Sequence, residues 1–264
     1  MNQFENDFLT MLESVKADAV LCVAHTFQYL GFRQATFADP EHQRAVNAHP
    51  DFFLTMLNAH QQAYIIALGR LYDTAGDVVH LKSLVDYAVR YPGIFRRNQL
   101  ISRLVEKGLT REQAAELTRD AFDGDGRALA ELNAICEEAR GIYMRRAKAL
   151  RNELVAHTGR APLAERILPF DQFMVRDLEQ IAVLPVLVVQ QLRLLFEDGV
   201  PPRMPTVTTN IVHVLEQNPG AGPEWFHVQV AKRAQKFVEE YARWVLADLD
   251  ENDGYHRSHP DDAR

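Results

Sequence analysis

Residues 127–157 carry apolar side chains at the three- and four-residue steps of a helix: Leu129, Leu132, Cys136, Ala139, Tyr143, Ala147, Leu150 and Leu154. A helix of that length with one apolar stripe needs further secondary structure to cover the stripe. No stretch of useful length alternates with a period of two, so no strand is expected to do so. The chain is therefore expected to be all-α, an antiparallel helical bundle with short connections.

The other segments agree with that reading. Residues 2–31 place Phe8, Leu12, Val15, Ala19 and Val23 at helical spacing, with Gly31 as the stop. Residues 38–50 read as a loop holding at most one helical turn. Asp51 then caps a second long helix to Asp73, with Phe53, Leu57, Tyr64, Leu68 and Leu71 inward. A third helix over residues 77–91 ends at Pro92-Gly93. Residues 94–126 form a polar, charged insertion with the look of a mobile hairpin. In it, Thr110-Arg111-Glu112-Gln113 has the form of a capping box, and Asp123-Gly124-Asp125-Gly126 makes a turn. Residues 171–198 are the next helix, interrupted by Pro185. After the proline-rich linker at 201–205 come a short segment (206–217), a Pro/Gly loop (219–223) and a last helix over residues 224–249. That last helix carries Trp244, with Trp225 just inside its start, so it is expected to pack against something. The charged end at 250–264 is expected to be disordered.

With 47% hydrophobic residues and a net charge of −7, the whole surface is not built for nucleic acid. One region departs from this balance. Between residues 140 and 166, Arg140, Arg145, Arg146, Lys148, Arg151, Arg160 and Arg166 face only Glu153 and Glu165. Such an island suits a phosphate backbone, or equally dresses a helix C-terminus with cations that match its dipole. Cys22 and Cys136 fit no metal or redox spacing and suggest a reducing, cytoplasmic setting. No signal peptide is visible in Met1-Asn2-Gln3-Phe4-Glu5, and the apolar run 181–189 contains Pro185 and is too short to span a bilayer. There is no His-Glu-x-x-His. The calcium-like run from Asp248 has its glycine one place late and His259 where a Glu is needed. No metal, cofactor or membrane partner is expected.

The end of the 127–157 helix reads Leu150-Arg151-Asn152-Glu153-Leu154-Val155-Ala156-His157. Leu150, Leu154 and His157 share a face, whereas Arg151 and His157 lie about 120° apart and do not converge within one helix. They meet in one site only if the helix ends on an inter-subunit groove, and Thr158-Gly159 is a suitable stop. Otherwise His157 is a terminal histidine bonding a last-turn carbonyl. Upstream, Leu68-Gly69-Arg70-Leu71-Tyr72-Asp73 places Arg70 and Asp73 three residues apart. They form either a surface ion pair worth a few tenths of a kcal/mol or part of a groove lining.

Arg151-Asn152 followed by His157 resembles the Arg–x4–6–His motif of the HEPN superfamily (higher eukaryotes and prokaryotes nucleotide-binding domains), here with a spacer of five. The Leu68–Asp73 stretch resembles the Leu-x-Arg-Leu-aromatic-Asp segment of its abortive-infection, AbiU-like branch. The similarity spans roughly residues 50–200. It implies a HEPN-like bundle over 1–200, with 94–126 as an inserted hairpin and 201–264 as a C-terminal helical extension. It also implies a homodimer whose motif helices meet, an endoribonuclease acting in phage defence, and restraint by an antitoxin or regulatory protein. One subgroup carries a Tyr two places after the His that a partner enzyme modifies; this chain has Gly159 there, which sets that control aside.

On that reading Arg151, Asn152 and His157 are catalytic, and Arg145, Arg146, Lys148, Arg70, Asp73 and Tyr143 contact RNA, with Tyr72 a further stacking surface. A histidine titrating near neutrality moves protons, and an arginine fork stabilises charge on phosphorus. The alternative is a catalytically silent helical module that binds a nucleotide, an RNA or a protein.

Overall fold

The computed structural model describes residues 2–74, 78–122, 126–156, 175–203 and 226–258. All its regular elements are helical: α1 (Gln3–Ala38), α2 (Pro40–Ala48), α3 (Pro50–Tyr72), α4 (Leu81–Arg90), a 3-10 turn (Pro92–Phe95), α5 (Arg97–Glu106), α6 (Arg111–Leu117), α7 (Gly126–Arg146), α8 (Lys148–Ala156), α9 (Val175–Asp198) and α10 (Phe226–Ser258). The fold is all-α, as the periodicity implies.

The chain forms two compact units that are not consecutive in sequence. One comprises Met1–Val23 with Tyr64–Thr208, the other Ala24–Ala63 with Thr209–Arg264. In the first unit, α7 packs between α4 and α9. Its buried stripe is Leu129, Leu132, Cys136, Ala139, Ile142 and Tyr143, continued by Ala147 and Leu150. The long motif helix is divided at Ala147, whose N–H donates to the Tyr143 carbonyl and whose carbonyl accepts from the Arg151 N–H. α9 is long and apolar enough to cross a membrane, yet 61% of that stretch is buried inside the protein, as in a core helix.

The 94–126 insertion is fastened to this unit. Arg103 on α5 is buried, and its guanidinium donates to Glu5 Oε1 (2.5 Å), the Ile94 carbonyl (2.9 Å) and the Phe196 carbonyl (2.6 Å). The same guanidinium lies 4.0 Å over the Phe196 ring, and Phe8 packs against both Phe95 and Phe196. Thr110 and Gln113 form the expected capping box, and Arg97 donates to the Ala115 and Thr118 carbonyls at the other end of α6.

In the second unit Gly31 does not stop α1. A Cβ there would lie 2.6 Å from the Ala231 carbonyl oxygen and 3.0 Å from Ala234 Cβ, so the glycine admits α10 against α1. Phe32, Ala35, Ala234 and Val238 close that contact, with Met56 and Leu57 beside them. Residues 38–50 hold a nine-residue helix, α2, capped by Asp39 Oδ1 accepting from the Glu41 N–H. Ala45, Ala242 and Val245 pack it against α10. The last helix packs as expected, through Ala234, Val238, Ala242 and Val245 and not through Trp244, which is 68% exposed, and it runs on to Ser258, past the expected end at 249. The segments 206–217 and 219–223, the turn at 123–125 and Trp225 lie outside the described residues.

Candidate active site around Arg151

The last turn of α3 and the start of α8 build this site. Leu68, Leu71 and Tyr72 are buried, which anchors the α3 end in the core. The Tyr72 hydroxyl donates to the Ile181 carbonyl at 2.8 Å, and its ring stacks on Tyr143 at 5.6 Å and 21°. The Asp73 N–H donates to the Gly69 carbonyl (2.8 Å), so Gly69 and Asp73 stand one turn apart on one face.

Arg151 lies across that face. Its Nη1 is 3.1 Å from Asp73 Oδ2 and donates to Asn152 Oδ1 at 3.2 Å. A Cβ on Gly69 would meet Arg151 Nε at 3.2 Å and Cγ at 3.6 Å, with the Tyr143 hydroxyl also at 3.6 Å. A Cβ there would make the Arg151 Nε give way by a few tenths of an ångström, so the glycine lets the side chain seat this closely. The Arg151 side chain keeps 37% of its surface exposed while Asp73 keeps 14%, so the cation faces water and the carboxylate backs it.

A carboxylate at a helix C-terminus opposes the helix dipole, and cations from α7 and α8 offset this. Besides Arg151, Arg140 Nε donates to the Tyr72 carbonyl (3.4 Å) and Nη2 to Thr74 Oγ1 (3.2 Å). Arg140 also pairs with Glu137, which binds Lys82 of α4, and Lys82 holds the Glu137 carboxyl below its usual range. The basic island thus serves the end of a neighbouring helix, α3, as well as facing solvent. Arg146 pairs with Asp177 at 3.7 Å; Arg145 is exposed and lies against Gly141, and Lys148 is half-buried. Arg160, Arg166 and His157 lie outside the described residues.

Two expectations need correction. Arg70 and Asp73 are not paired with each other: Arg70, exposed, binds Asp18 Oδ1 at 3.1 Å, while Asp73 takes Arg151. Tyr143 and Tyr72 cannot stack on RNA bases as they stand, because both are buried and stack on each other. Burial first, and then the charge of Asp73, pushes the Tyr143 phenol up, so it stays protonated beside the ion pair. The residue that sequence reasoning missed is Gly69. Its signal was its place inside the Leu68–Asp73 stretch, where a glycine in a helix asks for a packing reason. Among the described residues no three His, Cys, Asp or Glu side chains gather as a metal-binding group.

The match to known families covers both motif stretches. The HEPN_AbiU2 family model, described as AbiU2, matches residues 12–200. No curated protein and no solved structure matches the chain.

Proposed function

The chain belongs to the AbiU2 family of HEPN domains, and from that premise we propose that it is a metal-independent endoribonuclease that cleaves single-stranded RNA. The observation that carries this reading is the seat of Arg151. Residues of one motif, Gly69 and Asp73, hold the arginine of the other at a fixed place with more than a third of its side chain open to water. A guanidinium held in that way is preorganised for a phosphate.

In the proposed reaction the ribose 2′-oxygen attacks the adjacent phosphorus and the bond to the 5′-oxygen breaks. His157 serves the proton transfers, Arg151 neutralises charge gathering on the phosphoryl oxygens, and Asn152 steadies Arg151. The products are a 2′,3′-cyclic phosphate and a 5′-hydroxyl. DNA, lacking the nucleophile, is spared. Exposed Arg145 and Arg146, with half-buried Lys148, attract the strand. The active form is a homodimer that brings two motif ends together, and the protein acts in the cytoplasm as an abortive-infection effector under a restraining partner.

One observation favours the silent-module alternative: Arg151 already has an acidic partner in Asp73. The deciding experiment incubates purified full-length protein with mixed single-stranded RNA in EDTA. Cleavage to cyclic-phosphate ends, reduced ~10²–10⁴-fold by His157→Ala and by a similar order in Arg151→Ala at unchanged melting temperature, is expected. Absence of cleavage, or a His157→Ala protein that melts early yet cuts at the wild-type rate, rejects the catalytic assignment.

A further inference from the structure

The unit that holds Arg151 also has a cleft of about 440 Å³, lined by Phe4, Arg90, Tyr91, Arg96, Gln99 and Asn2. The sequence builds it by stopping α4. The Tyr91 N–H makes the last bond, to the Tyr87 carbonyl, and Pro92 starts a 3-10 turn pinned by buried Ile94 and Phe95. Arg90 and Arg96 therefore stand on either side of one turn. A Cβ on Gly93 would meet nothing within 4 Å, so the backbone of that turn is open.

Two features call for a ligand. Phe4 is 49% exposed although its ring lies 4.8 Å from Tyr91, which in turn lies 4.6 Å from Tyr87. The Tyr87 hydroxyl donates to the Phe4 carbonyl at 3.2 Å and fixes this aromatic row. Beside it, Arg90 and Arg96 are both exposed on the same cleft and pair with no carboxylate among the described residues. Arg96 leads into α5 without a side-chain cap, so the positive end of that helix adds to the two guanidinium groups.

We infer that this cleft binds one nucleotide, its base stacked on the Phe4–Tyr91 row and its phosphate held by Arg90 and Arg96. A nucleotide joins a flat π-face to an anion within the span of a cleft this size, and guanidinium forks match phosphate oxygens. Free mononucleotide and one unit of an RNA strand share that chemistry. The cleft is separate from the Arg151 site. Lys82, in the first turn of α4, connects through Glu137 and Arg140 to the end of α3, and Tyr91 lies nine residues further along, roughly 14 Å. The inference goes beyond the proposed ribonuclease reading and holds whether or not Arg151 supports cleavage.

The test titrates full-length protein with AMP and with a labelled 2′-O-methyl adenosine pentamer, whose blocked hydroxyl cannot be cleaved. Arg90→Glu with Arg96→Glu, and separately Phe4→Ala, should weaken binding about tenfold or more at an unchanged melting temperature. Adenosine or inorganic phosphate alone should bind at least tenfold more weakly than AMP. Binding of AMP that responds to the cleft variants identifies a free nucleotide as the occupant. Binding of the pentamer alone with the same response identifies a strand. No binding of either probe, or binding indifferent to both cleft variants, overturns the inference.

Discussion

Arg151 and Asp73, 78 residues apart in sequence, meet at 3.1 Å between Nη1 and Oδ2. Their contact joins the two stretches that mark the family. Because the arginine is more than a third exposed, the pair stabilises the fold by less than about 1 kcal/mol. Its larger effect is on position. Asp73→Asn should therefore leave the melting temperature within a few degrees of wild type while RNA cleavage falls on the order of tenfold to a hundredfold, the usual effect of misplacing a catalytic group by about 1 Å. Arg151→Ala with Asp73→Asn should be no slower than Arg151→Ala alone, since the carboxylate acts through the arginine. Additive losses in that cycle would give Asp73 a separate role.

Gly69→Ala separates position from stability more sharply. Alanine in a helix is favoured over glycine by roughly 0.5–1 kcal/mol. The new Cβ, 3.2 Å from Arg151 Nε, would push a flexible side chain, which yields at little cost to the fold. The expected protein melts at or slightly above the wild-type temperature and cleaves RNA about tenfold more slowly. Wild-type cleavage by this variant would show that the close seat of Arg151 is dispensable.

The sequence disclosed this site unevenly, for physical reasons. The stripe from Leu129 to Leu150 was readable because a buried helix face repeats at helical spacing, and each of its members is buried. Arg151 and Asp73 were each legible as motif residues, but their pairing was not, because periodicity places a residue on its own helix and says nothing of the neighbour it meets. Hence Arg70 was a natural partner for Asp73 by spacing, while Asp18, 52 residues away, is the one Arg70 takes. Tyr143 shows the same limit. A tyrosine on an apolar face satisfies both core packing and base stacking on paper, and only its 5.6 Å contact with Tyr72 decides between them. Gly31 misled because glycine ends helices and also admits neighbouring helices, and the deciding partner, Ala231, lies 200 residues on.

Arg103 should be the most sensitive position in the first unit. It is 6% exposed and Glu5 is 3% exposed, so removing either partner strands the other charge in the core. Arg103→Met is expected to cost about 3–5 kcal/mol, read from the midpoint of urea unfolding, and Arg103→Met with Glu5→Gln should recover part of that loss. A loss under about 1 kcal/mol in the single variant would mean that the site relaxes or admits water.

The last expectation concerns pH and the second unit, where His25 Nδ1 and His60 Nδ1 lie 3.0 Å apart. One ring must donate and the other accept, so the pair does not hold a proton on both facing nitrogens. Burial lowers the pKa of each, and the charge of His25 lowers that of His60 further. A histidine with a folded pKa below its unfolded value binds fewer protons when folded than when unfolded between those two values. Stability is then complete above the unfolded value, near 6.5, and declines as the pH falls below it. His80 acts in the same direction: burial lowers its pKa, and its Nδ1 accepts from the Ser83 N–H, which requires the unprotonated nitrogen. The melting temperature should therefore drop between pH 7.5 and about 5.5, before most carboxylates begin to titrate. His60→Gln removes the His–His share of that drop and leaves the His80 share, so its curve should be flatter than wild type without being flat. Equal slopes for the two proteins over that window would show that the His25–His60 contact does not hold in solution.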